Sequence, residues 1–150
     1  PVGVVVCCEV AYDSTVADTV RHGAKILAVQ SNNSSFIDTA QTPQQWQITR
    51  ARAVETGRHI VVSTTNSFSG LVNPDGSVAL RTEEGVHTHF PVTIPLESGL
   101  TIGVQIAPWL RIIVLVMTAG AIAMSLLQRR RAMLAQANHN RSERNVRHRH

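Results

Sequence analysis

The sequence predicts an α/β protein, helices covering a mixed sheet, followed by one transmembrane helix. Three observations carry that prediction. Short β-branched runs alternate with helical segments over residues 1–63, a hairpin pattern follows at 70–80, and Ile112 to Leu127 is an unbroken apolar stretch. At 150 residues, 43% hydrophobic and 16% charged, the chain supports one core plus an appendage and is too apolar for disorder.

Val2 to Val6, broken only by Gly3, reads as a strand buried on both faces and ending at Cys7. Thr15-Val16-Ala17-Asp18 predicts a capping box that opens a short helix, which Gly23 closes. Ala24 to Val29 is a second buried strand. Thr42 and Pro43 supply an N-cap and first residue for the helix TPQQWQITRARAVET, ended by Gly57, and His59 to Ser63 is a third strand. Gly70-Leu71-Val72, the turn Asn73-Pro74-Asp75-Gly76 and Ser77 to Leu80 predict an antiparallel hairpin. Phe90 to Ile94 is a further extended piece.

The span is expected over residues 109–128. A hydrocarbon core needs about 20 helical residues, with Trp109 in the aromatic belt, Arg111 snorkelling and Pro108 just before the first turn. Arg129-Arg130-Arg131 and four later Arg place the C-terminus in the cytoplasm and the body outside. Seven Arg against Glu143 make the tail +6, so the total of +4 leaves residues 1–128 at −2. A basic tail on an acidic body argues against a folded nucleic-acid surface, and 129–150 is expected to be disordered. Its His148 and His150 lack the neighbours of a metal site. With no initiating Met and a strand starting at Val2, the chain reads as the C-terminal part of a longer protein.

Cys7 and Cys8 are adjacent, cannot form a disulfide framework and read as free thiols. A Cys at the C-terminal end of a buried strand stands where open α/β sheets put reactive groups, although an inert core thiol satisfies position alone. Glu9 lies two residues on, and the polar segment SNNSS follows the next strand. Elsewhere the readings are structural. Glu55 has Arg52 and Arg58 at helical spacing for ion pairing, with Arg50 nearby. Trp46 reads as a core or lipid-facing anchor, His59 as a satisfied polar end and Lys25 as a surface residue. His87 and His89 alternate on an extended segment with nothing to complete a metal set.

Cys7-Cys8-Glu9, preceded by GVVV and followed by VAYDSTVADTVRHGAKILAVQSNNSSF, resembles the nucleophile region of the nitrilase superfamily, specifically the bacterial apolipoprotein N-acyltransferase family. Gln44-Gln45, the TRARAVE helix, STTNSFSGLVNPDG, Ser98-Gly99-Leu100-Thr101 and the terminal span with its basic flank extend the match over about residues 2–131. The resemblance implies that residues 1–100 are the C-terminal part of a nitrilase-like αββα sandwich, joined by a connector at 101–108 to the span. It implies that Cys7 is the nucleophile, taking an acyl chain from a membrane phospholipid as a thioester and passing it to the N-terminal amine of a diacylglyceryl-cysteine lipoprotein, without a cofactor or metal.

Glu9 would orient the pocket, and the Cys8 backbone N–H, following the nucleophile on a sharp turn, would stabilise the oxyanion. Cys8 stands where most relatives have an aromatic, and Ser34-Ser35-Phe36 where the family has Ala-Trp-Phe. The family's catalytic Glu and Lys precede its Cys, so these residues alone are expected to be inactive, in a bacterial cell membrane with the domain extracytoplasmic. Two alternatives stay open: a nitrilase-superfamily amidase, or a noncatalytic anchor for a cytoplasmic polyprenyl-phosphate mannosyltransferase that would meet the basic tail.

Overall fold

The computed structural model describes residues 1–147. Its elements in order are β1 (Val2–Val6), a 3₁₀ turn (Cys7–Ala11), α1 (Asp13–Arg21), β2 (Ile26–Ser31), a 3₁₀ turn (Ser34–Phe36), α2 (Gln41–Thr56), β3 (Ile60–Thr64), β4 (Gly70–Val72), β5 (Val78–Arg81) and α3 (Ile102–Arg147). The strands form one sheet in the order β1-β2-β3-β4-β5. β1, β2 and β3 run parallel, with Val4 opposite Ala28 and Ala28 opposite Val61, because α1 and α2 provide the crossovers that parallel neighbours require. The hairpin adds β4 and β5 antiparallel, with a bulge at Leu71/Val72.

Val5, Leu27, Val29, Ile60 and Val62 of the sheet pack with Val16 and Val20 of α1 and Trp46 and Ala53 of α2 into one core. Gly3 lets α1 approach: a Cβ there would lie 2.3 Å from Thr19 Cγ2. Gly57, at φ 61°, ends α2 in the left-handed conformation that its lack of a Cβ permits.

Several expectations are corrected. β1 is buried on one face only: Gly3 and Val5 point into the core, whereas Val2, Val4 and Val6 are 62%, 54% and 52% exposed. Helix α1 begins two residues before Thr15, at Asp13, whose carboxylate suits the positive end of the helix. Helix α2 has Ala40 at its N-cap with no side-chain cap, the Thr39 hydroxyl just before it accepting the Gln41 N–H at 3.3 Å, while Thr42 is buried inside the first turn with its hydroxyl unpartnered. Residues 86–98, including Phe90 to Ile94, form no strand.

The chain divides into two compact units, Pro1–Ile106 and Ala107–His150. The first turn of α3 belongs to the first unit. Thr101 caps it, accepting the Val104 N–H at 3.2 Å and donating to the Glu55 carbonyl at 2.5 Å. Pro108 lies inside α3 rather than before it. Having no N–H, it leaves the Val104 carbonyl without its helical donor. Arg21 Nη2 donates to that carbonyl at 2.5 Å. Arg58 is likewise committed to carbonyls, donating to Ala24 at 2.9 Å and Gly99 at 2.5 Å; it lies beyond α2 and does not pair with Glu55.

From Ile102 to Arg131 the helix is long and apolar enough to cross a membrane, and its most apolar stretch is unburied. The expected connector is therefore the beginning of this helix. Instead of a disordered tail, the helix continues to Arg147, through the strong helix formers Ala132-Met133-Leu134-Ala135-Gln136-Ala137. His148 and His150 lie outside the described residues.

Candidate active site

β1 runs out at Val6, and the next residue, Cys7, turns the chain with φ 50°, a left-handed conformation uncommon for a residue with a Cβ. The following 3₁₀ turn is closed by Glu9, whose Oε2 accepts the Val6 N–H at 2.8 Å and whose carbonyl accepts the Tyr12 N–H at 2.9 Å. Cys7 is half-buried and Cys8 exposed.

Two residues of α2 brace this turn. Arg52 donates from Nε to the Val10 carbonyl at 2.9 Å and from Nη2 to the Ala11 carbonyl at 2.7 Å, and its guanidinium pairs with Glu55. Gln45 Nε2 donates to the Cys7 carbonyl at 3.1 Å. Its own Oε1 accepts from Asn33 Nδ2 at 2.7 Å, and Asn33 Oδ1 accepts from the Ser31 hydroxyl at 2.7 Å. Asn33 is only 3% exposed, so the relay is anchored in the interior. The parallel register, with Val6 opposite Gln30, brings Ser31 and Asn33 to the end of the sheet where Cys7 stands. Beside them opens a cavity of about 370 Å³ whose wall combines Cys7, Cys8 and Asn33 with apolar Val10, Phe36 and Ile48. A thiol on a tight turn, next to a backbone N–H and a largely apolar cavity, is suited to attack a carbonyl carried on an apolar group.

Cys7, Cys8 and Glu9, consecutive in the sequence, all lie on this turn. Gln45, Asn33 and Ser31 were legible only as polar residues within the matched segments; nothing in one sequence joins residues 31, 33 and 45 to the carbonyl of residue 7.

The other candidates lie elsewhere. Lys25 is exposed, its N–H bonding Pro1 at 3.0 Å, at the opposite end of the sheet from Cys7. Trp46 is a core residue, edge-on to Phe68 at 6.2 Å. His59 is buried, but its Nδ1 has no partner, so the expectation of a satisfied polar end is not met there. His87 and His89 are exposed, and among the described residues no three His, Cys, Asp or Glu side chains gather as a metal site. Asp75, in the hairpin turn, is held below the usual carboxylate range by the hydroxyl and backbone N–H of Ser77.

Residues 1–98 match the carbon-nitrogen hydrolase family. An apolipoprotein N-acyltransferase of Mycolicibacterium smegmatis is 32% identical over 127 residues, 85% of this chain and 21% of that protein. The apolipoprotein N-acyltransferase of Gloeobacter violaceus is 34% identical over 113 residues, 73% of this chain and 21% of that protein. This chain therefore spans about a fifth of the length of these curated relatives. Among solved structures, a member of branch 10 of the nitrilase superfamily from Saccharomyces cerevisiae, Nit3, is similar at 22% identity and a TM-score of 0.49, covering 57% of this chain and 34% of that one. The family match over 1–98, with relatives of a single name aligned along most of the chain, shows that this protein belongs to the carbon-nitrogen hydrolase family and that its resemblance to the apolipoprotein N-acyltransferases is borne out.

Proposed function

We propose that this chain is the nucleophile-bearing part of an apolipoprotein N-acyltransferase. The observation that carries the reading is Cys7 itself: a thiol in a left-handed turn at the end of a parallel strand, opening on a cavity lined by Val10, Phe36 and Ile48 together with Gln41, Gln44 and Gln45. In the first step the Cys7 thiolate attacks the ester carbonyl of a membrane phospholipid. The carbon–oxygen bond breaks, the lysophospholipid leaves as its alcohol after taking up a proton, and the acyl group remains as a thioester. The α-amine of a diacylglyceryl-cysteine then attacks that thioester. The carbon–sulfur bond breaks, the amine loses a proton, and the thiolate returns.

The roles follow from chemistry and position. The Cys8 backbone N–H donates to the oxyanion of each tetrahedral intermediate. Glu9 supports the turn by holding the Val6 N–H, which leaves the general base to be supplied by another group. The family's base and lysine lie outside these residues on this reading, since Lys25, the single lysine, stands at the far end of the sheet. The 150 residues alone are therefore inactive. The second sheet of the family's sandwich would cover Val2, Val4 and Val6. Arginines 129–131 hold the end of the span in the cytoplasm and the domain on the extracytoplasmic side, and the basic tail would meet any cytoplasmic mannosyltransferase partner.

The test is N-acylation of a diacylglyceryl lipopeptide by the full-length protein in phospholipid vesicles, followed by mass spectrometry. The reading expects an N-acyl product with wild type and none with Cys7→Ala. Ammonia release from small amides without lipopeptide acylation would refute it in favour of an amidase.

A further inference from the structure

We infer that Gln45 is a positioning residue for acyl transfer: by holding the Cys7 carbonyl it fixes the peptide plane whose other end is the Cys8 N–H. The inference rests on the acyltransferase reading and deepens it. The Cys7–Cys8 peptide is trans, so its C=O and N–H lie in one plane and point in opposite directions. A donor that anchors the oxygen therefore aims the N–H. Gln45 Nε2 is that donor, at 3.1 Å. Its amide is oriented by Asn33, which is buried and itself bonded to Ser31, so the anchor is tied to the end of β2 as well as to α2.

The tie acts where the backbone is least self-sufficient. A Cys at φ 50° occupies a narrow, unfavourable basin, and a modest rotation about its flanking bonds would swing the Cys8 N–H away from the thiol. Hydrogen bonding at the carbonyl also polarises the amide and makes its N–H a stronger donor. Arg52 braces the Val10 and Ala11 carbonyls, downstream of this plane, whereas Gln45 is the side chain that holds the carbonyl of the peptide carrying the N–H, in addition to the 3₁₀ turn over Cys7–Ala11.

The discriminating experiment compares two reactions of one sulfur in the full-length protein. Thioester formation from vesicle phosphatidylethanolamine develops an oxyanion; alkylation of Cys7 by iodoacetamide does not. Both are read at Cys7 by fragment-resolved mass spectrometry in wild type, Gln45→Leu and Gln45→His. Gln45→Leu should lower the saturating rate of thioester formation roughly tenfold, with the half-saturating lipid concentration and the alkylation rate kept within about twofold of wild type. Gln45→His, which keeps an N–H donor, should recover most of the rate. The inference is overturned if Gln45→Leu acylates as fast as wild type, or if alkylation falls in step with acylation, which would mark a general collapse of the turn. If wild type forms no thioester, the acyltransferase reading falls first and the inference falls with it.

Discussion

Replacing Cys7 by glycine should give a more stable protein than replacing it by alanine, although both remove the thiol. Alanine keeps a Cβ at φ 50°, where an L-residue is disfavoured by about 1–2 kcal/mol; glycine does not meet that penalty. Glycine loses more chain entropy on folding, about 0.5–1 kcal/mol, which offsets part of the relief. The net advantage of Cys7→Gly over Cys7→Ala is therefore about 0–1.5 kcal/mol, a rise of at most about 3 °C in thermal midpoint, because the midpoint of a protein of several hundred residues moves less per kcal/mol than that of a small domain. The assay is thermal unfolding of the full-length variants in one detergent, followed by an intrinsic fluorescence or light-scattering probe. A lower midpoint for Cys7→Gly would refute a left-handed turn at the nucleophile and with it the geometry of the site.

Three further outcomes follow from the packing. Gly3→Ala places a Cβ 2.3 Å from Thr19 Cγ2 and should cost about 1–3 kcal/mol in thermal or chemical unfolding, part of which Thr19→Ser restores by removing that methyl. Arg21→Met leaves the Val104 carbonyl, already deprived of a donor by Pro108, unsatisfied; a loss of about 1–3 kcal/mol is expected, with faster hydrogen exchange confined to the start of α3. The folded pKa of Asp75 is depressed, so its contribution to stability is present above its unfolded value of 3.8 and is lost as pH falls through the folded value. Loosening of the turn at Ser77 should therefore set in below about pH 4 in hydrogen exchange, and Asp75→Asn should abolish that dependence.

The sheet and both crossover helices were legible because their signals are local. β-branched runs mark the strands, and Gly23 and Gly57 mark the helix ends with the positive φ that those residues take. The helix starts were misread at two threonines: Thr15 and Thr42 look like caps, but the actual cap positions are Tyr12 and Ala40, neither of which caps with its side chain. Pro108 reads as a helix start by rule, and the donor that serves the carbonyl it leaves open, Arg21 on Val104, lies eighty-three positions away from that carbonyl in the chain. The alternation of exposure along β1 was hidden because Val, at four of its five positions, fits either face. At the site, the contiguous Cys7-Cys8-Glu9 could be read directly. The Ser31–Asn33–Gln45 relay could not, because it depends on the register of β1 against β2 and on where α2 crosses them.

The most direct measurement is intact and fragment-resolved mass spectrometry of the full-length protein isolated from membranes without a lipoprotein acceptor. The account predicts a base-labile acyl adduct on Cys7, absent in Cys7→Ala and discharged when a diacylglyceryl lipopeptide is added. An adduct that survives Cys7→Ala, or a wild-type protein that carries none while Cys7 is free and accessible, would contradict it.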